Sequence, residues 1–147
     1  MNKSETVKSI EAMKIFHETQ MDNIKLLLNG KVVDKLEPIA KTECEFGEWL
    51  YTHENRIQDI LGVQFYERLE KLHEQWHIQY YKIYKIFFMD EKKGFFSSLI
   101  GGSKVDQMQI DKAILYFTEL KIISDELLLA LASSHRRALA LNESKFF

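Results

Sequence analysis

A chain of 147 residues, 46% apolar and 29% charged, has the size and composition of one folded domain with a core of its own. Its 20 Lys and Arg residues against 22 Asp and Glu residues give a net charge of −2 without a block of like charge, which argues against binding to nucleic acid or to anionic membranes. One proline and six glycines supply few of the turns that a sandwich or barrel needs. The composition therefore predicts an all-α fold.

The sequence shows no disulfide framework, secretory leader or membrane span. Cys44 is the single cysteine, and charged residues interrupt the apolar run that a signal peptide would need near the amino terminus. The longest apolar stretch, 127–132, is far shorter than the roughly 20 residues that cross a bilayer. We therefore expect a reduced, cytoplasmic protein without membrane insertion.

The first half of the chain predicts two helices joined by a connector. Apolar residues at helical spacing predict a helix over 4–29, whereas 31–41 has no sustained period and contains a proline. Thr42 and Glu45 then have the spacing of a capping box, so we expect a helix from there to about residue 60. This helix would carry Cys44 in its first turn.

The second half predicts two longer helices. Aromatic and apolar side chains three and four residues apart predict a helix over 64–92, followed by an apolar loop at 95–100 that we expect to dock on the bundle, a second subunit or a partner. Ser103 and Asp106 have capping-box spacing and would open a helix to about residue 142, which spans about 60 Å if unbroken and should kink or overhang. Together these elements predict a single domain over 1–147, an antiparallel four-helix-type bundle with a short Cys-bearing helix and a long carboxy-terminal helix.

Four side chains that bind metals lie on apolar helix faces or at a helix start: His17, Cys44, His73 and His77. His73 and His77 are four residues apart, so both rings project from one face of a helix and can share a metal. Cys44 lies near the positive end of a helix dipole, which favours its thiolate. One thiolate with three neutral imidazoles is a tetrahedral ligand set that suits Zn²⁺.

The residues around Cys44 make this hypothesis specific. Residues 44–49 read CEFGEW, a hexapeptide of the form C-x-hydrophobic-G-x-W, with His17 before it and the H-x-x-x-H pair His73 and His77 after it. In order and spacing, this segment of about 13–80 resembles the CZB family, the chemoreceptor zinc-binding domains.

The resemblance implies both a fold and a role. Members of the family are cytoplasmic bacterial helical bundles that commonly dimerise, and they are usually fused to chemoreceptors or diguanylate cyclases. The resemblance implies that three His and one Cys bind zinc, that the metal reports zinc availability, and that the zinc-bound cysteine is in some members an oxidant target. Because we identify no output domain in this chain, we expect a homodimer or a separate signalling partner acted on in trans.

Alternatives to this interpretation remain open. The segment 73–77 also reads H-E-x-x-H, the zinc-hydrolase motif, but four protein ligands would leave no open position for a catalytic water. A hemerythrin-like di-iron carrier would need more His and bridging carboxylates. His53 is a weaker candidate ligand, and His135 with its neighbouring arginines is more simply a solvated helix face than an anion site. A structural zinc bundle acting as a scaffold shares every ligand with the sensor, and neither is an enzyme.

Overall fold

The computed structural model describes residues 1–31, 33, 36, 40–89 and 105–146, and nearly all of these lie in helices. The helices are α1 (Lys3–Leu28), α2 (Glu45–Thr52), α3 (Glu54–Leu61), α4 (Val63–Phe88) and α5 (Gln107–Ala140), followed by a short 3-10 helix (Glu143–Phe146). The described chain contains no strand, so the all-α prediction is confirmed.

The bundle is antiparallel, with the short α2–α3 pair taking the place of one long helix. Lys3 at the start of α1 donates hydrogen bonds to the carbonyls of Leu139 and Leu141 at the end of α5. The guanidinium of Arg137 near that same end lies over the ring of Phe65 at the start of α4. Helices α1 and α4 therefore both run opposite to α5, and the core lies between them.

The first and fourth helices follow the predicted apolar pattern closely. A capping box holds the start of α1, in which the Asn2 side chain accepts from the Glu5 amide and the Glu5 carboxylate accepts from the Asn2 amide. The helix ends before Gly30, whose φ of +76° is a left-handed conformation that glycine adopts without steric cost. The buried faces of α1 and α4 include the three predicted histidines.

The segment around Cys44 differs from the prediction in two ways. Thr42 does not cap the helix; Cys44 does, since its backbone is extended (φ −81°, ψ 146°) and its sulfur accepts from the Gly47 amide at 3.3 Å. The predicted single helix to residue 60 is also divided at His53, which ends α2 and begins α3 without a side-chain cap. Cys44 therefore lies just before the first turn.

The last helix is one uninterrupted run of 34 residues, about 51 Å at 1.5 Å per residue. Asp106 caps it by accepting from the Gln109 amide, whereas Ser103 and the apolar loop 95–100 lie outside the described residues. Ala113 and Leu120 of this helix are fully buried, whereas Ile114 is 46% exposed. None of the described helices is both long and apolar enough to span a membrane.

Candidate metal centre

Three histidines from two helices converge in the core. Helix α1 supplies His17, and α4 supplies His73 and His77 from one face. One ligand atom from each ring lies within 4.8 Å of the other two, and all three side chains are buried. Two nitrogens bound to one tetrahedral Zn²⁺ lie about 3.4 Å apart, so small side-chain movements would close these rings around an ion.

Cys44 joins this group through His73. Its sulfur lies 3.0 Å from Nε2 of His73, and the residue is fully buried. The structure thus gathers the three predicted histidines, and it places Cys44 in contact with His73, although the Cys44 sulfur is not part of the group of mutually close ligand atoms. We call His17, Cys44, His73 and His77 the ligand cluster.

Gly47 explains how the Cys44 segment comes so close to α4. A Cβ on Gly47 would lie 1.6 Å from the Lys41 carbonyl oxygen and 3.3 Å from Cε1 of His73. No side chain fits there, so only glycine lets the backbone at Lys41 cross the first turn of α2. Glycine is required here by close approach of two backbones, because Gly47 is not among the positive-φ residues of the described chain.

Aromatic rings enclose the ligand cluster. The Trp76 and His17 rings pack edge-to-face with their centres 4.8 Å apart, and the ring of the fully buried Phe46 packs edge-to-face with that of His73, centre to centre 4.7 Å. Trp49 stacks on the far side of Phe46 at 6.0 Å. These contacts fix ring orientations and exclude water, which strengthens electrostatic interactions within the site.

The hydrogen bonding of His17 fits a metal ligand. Its Nδ1 lies 2.8 Å from the Met13 carbonyl, and since a carbonyl only accepts, Nδ1 carries the hydrogen. The lone pair is therefore on Nε2, which is buried and has no hydrogen-bond partner among the described residues. A backbone carbonyl that orients one ring nitrogen while the other faces a metal is the usual arrangement around protein-bound zinc.

Burial also keeps two of the imidazoles in the form that binds metals. Desolvation lowers the pKa of His17 to about 4. Desolvation, followed by the neighbouring His77 and His17, lowers the pKa of His73 to about 2. Both rings are neutral at pH 7, so their lone pairs are available to a cation.

Our expectation that the position of Cys44 favours a thiolate is wrong for the metal-free protein. Desolvation raises the pKa of its thiol to about 11, outweighing the amides of Gly47 and Phe46 that favour the charged form. The helix-start position is as predicted, but burial dominates. Without a metal the single thiol hydrogen has two acceptors within reach, Nε2 of His73 at 3.0 Å and the Lys41 carbonyl at 3.6 Å. Binding of a cation must therefore release this proton.

An ion-pair network borders the cluster, and sequence reasoning missed it. Lys41 pairs with Glu70 at 3.0 Å and with Glu74 at 2.8 Å, and the Tyr51 hydroxyl lies 3.3 Å from the Glu70 carboxylate. The hydrogen bond to Glu74 is the largest cause of a raised pKa at Lys41. The only sequence signal for the network is the spacing of Glu70 and Glu74, which places both carboxylates on one side of α4.

Residues 17–84 match the family model of the chemoreceptor zinc-binding domain, CZB. The chain contains a CZB domain. The matched segment begins at His17 and includes the whole ligand cluster, and it covers the part of the chain that we expected from the motif. The chain has no significant match among curated proteins or among solved structures.

The geometry of the CZB domain bears on the alternatives. Glu74, which would be the general base of an H-E-x-x-H hydrolase, is paired with Lys41, and its side chain is 46% exposed. Among the described residues, the group of potential ligand atoms around His17 contains no carboxylate, which a di-iron carrier would need. His53 is half-buried at the junction of α2 and α3 and lies outside that group, as Cys44 also does, but of these two residues only Cys44 contacts one of the three histidines.

Proposed function

We propose that this CZB domain is a regulatory zinc-binding domain that reports zinc availability or oxidants to a signalling partner, and that it is not an enzyme. The observation that carries the proposal is the convergence of three buried histidines from α1 and α4 inside an aromatic-lined site, with the Cys44 sulfur 3.0 Å from one of them. Within the described residues, Nε2 of His17 is buried and has no hydrogen-bond partner, which costs free energy. A bound cation would remove this cost, and imidazoles with one thiol are a ligand set that suits zinc.

Cys44 is the proposed sensing residue within the ligand cluster. When bound, zinc supplies the positive charge that keeps the Cys44 sulfur as a thiolate despite its burial. A thiolate reacts with hypochlorous acid to give a sulfenic acid and chloride, the sulfur gaining oxygen and losing two electrons. The product is a poor metal ligand, and the imidazoles offer no comparable chemistry.

A structural zinc scaffold is the second candidate, and one observation favours it. The Cys-bearing helix α2 cannot move away from the bundle without a loss of core burial. Phe46 and Leu50 of α2 are fully buried, and Trp49 is 9% exposed. Withdrawing α2 as a unit would expose all three, at about 1.5–3 kcal/mol for each large side chain. A sensor must therefore act through a smaller change near Cys44.

The proposed partners are a second copy of the chain and a signalling protein such as a chemoreceptor or diguanylate cyclase acted on in trans. Support for a second copy comes from α5, where four exposed apolar residues repeat every seven positions on one face: Met108, Leu115, Ile122 and Leu129. A heptad line of this kind suits helix-to-helix association. We propose no nucleic-acid partner, because the chain has no basic block.

Metal analysis and oxidant titration test the zinc proposal. We expect one zinc per chain in protein purified without added metal, retention of that zinc in His53→Ala, and its loss in Cys44→Ala. Both variants remove one potential ligand, so they are matched controls. A His53→Ala protein without zinc, or a Cys44→Ala protein with full zinc, would contradict the ligand assignment.

Oxidation then separates the sensor from the scaffold. Hypochlorous acid at low stoichiometry should modify Cys44, release zinc and raise amide exchange within 40–60, while α5 stays protected. An oxidised protein that keeps its zinc, or exchange that rises uniformly along the chain, would leave the scaffold as the function.

A further inference from the structure

Lys41 connects the Cys44 segment to the helix that carries two of the histidines. Its ammonium pairs with Glu70 and Glu74 at 3.0 and 2.8 Å. On α4, Glu70 lies about one turn before His73, and Glu74 is the residue directly after His73. The side chain of Lys41 is thus attached to the turn of α4 from which His73 projects.

The backbone of the same residue holds the other half of the site. The Lys41 carbonyl lies 3.6 Å from the Cys44 sulfur and occupies the space above Gly47 that any other residue would fill. Lys41 therefore contacts the first turn of α2 through its main chain and α4 through its side chain.

Tyr51 further restricts the ammonium. The Lys41 nitrogen lies 5.5 Å from the centre of the Tyr51 ring, a cation–π contact, and the Tyr51 hydroxyl is 3.3 Å from the Glu70 carboxylate. Two carboxylates and one ring fix this side chain, although it is 30% exposed. Networks of several charges stabilise a conformation more than single exposed pairs do.

We propose that Lys41 is a positioning residue for the metal site, whose ion pairs with Glu70 and Glu74 hold Cys44 against His73 before any metal binds. This inference rests on the proposed zinc site for its effect on zinc affinity. Its effect on the metal-free thiol is independent of zinc. A site assembled in advance loses less conformational freedom on binding, so Lys41 raises zinc affinity and shields the Cys44 thiol.

Lys41→Met tests the metal-free protein, because methionine keeps an apolar stem and removes the charge. Lys82→Met is the matched control, since the Lys82 nitrogen also lies over a tyrosine ring, 5.3 Å from the centre of the Tyr116 ring, which is not part of the ligand cluster or of the Lys41 network. We expect Cys44 in Lys41→Met to be alkylated by iodoacetamide about fivefold faster than in the parent chain, as partly exposed ion pairs are worth little each. The control should match the parent, and helical content should be unchanged in both variants.

Zinc competition with a chelator tests the second consequence. Zinc affinity should fall about fivefold in Lys41→Met, and the difference from the parent should shrink at 1 M salt, where charges are screened within about 3 Å. A merely structural role of the lysine stem would not respond to salt. The charge-reversed pair Lys41→Glu with Glu74→Lys should recover part of the affinity that Lys41→Glu alone loses.

The outcomes separate this inference from the proposed function. Unchanged alkylation in Lys41→Met overturns the positioning role even if the parent binds zinc normally. Faster alkylation in a chain that binds no zinc would support the positioning role and refute the zinc proposal. Faster alkylation with equal loss of helix in Lys41→Met would assign the residue to general stability and overturn the inference.

Discussion

Replacing Gly47 with alanine tests whether the crossing of two backbones holds Cys44 in place. The added Cβ would lie 1.6 Å from the Lys41 carbonyl oxygen. Since non-bonded carbon and oxygen atoms do not approach closer than about 3 Å, the carbonyl or the start of α2 must move by more than about 1 Å. Both are backbone atoms, so no side-chain rotation relieves the contact.

The expected loss of zinc affinity follows from how little displacement of a ligand atom a metal site tolerates. Ligand atoms must lie within about 0.2 Å of their proper distances, so a shift of this size removes Cys44 from the coordination sphere. We expect Gly47→Ala to weaken zinc binding at least about 100-fold, in the upper range for changes next to ligands. Overpacking should also lower the free energy of unfolding of the metal-free protein by about 3 kcal/mol.

Gly30→Ala is the matched control, measured by the same urea unfolding and chelator competition. Gly30 has φ +76° and no heavy atom within 4 Å of an added Cβ, so the variant suffers only the left-handed backbone. It should lose about 1–2 kcal/mol of stability and keep its zinc affinity. Equal zinc affinity in Gly47→Ala and in the parent would refute the argument that this crossing positions the sulfur.

Two further predictions concern acidity and association. Burial lowers the pKa of His17 to about 4 and that of His73 to about 2, so between pH 6.5 and about pH 4 the unfolded chain takes up these two protons and the folded chain does not. The free energy of unfolding of the metal-free protein should therefore fall by about 1.4 kcal/mol per pH unit for each ring over this range. Urea midpoints at pH 7 and 5 should show this loss, and His17→Leu should reduce it; a midpoint that does not change would contradict it. The chain should sediment as a dimer at micromolar concentration, and Ile122→Lys on the exposed line of α5 should dissociate it whereas Ile15→Lys on α1 should not. A parent that sediments as a monomer would rule the pairing out.

The long helices and the nearness of the three histidines were predictable because their signals are local or ordered along the chain. Apolar spacing of three and four residues specifies a helix without knowledge of its neighbours, and α1 and α4 follow it closely. The candidate ligands are residue types that rarely lie on apolar faces, and the hexapeptide beginning at Cys44 made their pattern specific. That the three histidines do lie together, with Cys44 against His73, is shown by the structure.

The details near Cys44 were not predictable, because they depend on residues far apart in sequence. Thr42 has the right spacing for a capping box, but the backbone is extended only at Cys44, which therefore takes the cap. Lys41 meets Glu74 across 33 positions of chain, and no local pattern encodes that contact. Burial decides the acidity of the Cys44 thiol, and burial is a property of the packed bundle rather than of a helix start.

The same burial constrains how the proposed metal signal would leave the site. In the metal-free chain the imidazoles of His17 and His73 are neutral, the Cys44 thiol has acceptors, and Phe46 lies in the core, so none of these side chains carries a buried charge when zinc is absent. The difference between the two states is then local: the charge on one sulfur and the position of the turn that carries it. That turn is attached to α4 through Lys41, so a displaced sulfur acts first on the α4 surface at Glu70 and Glu74. A partner that responds to the metal is best placed to do so by contacting this surface.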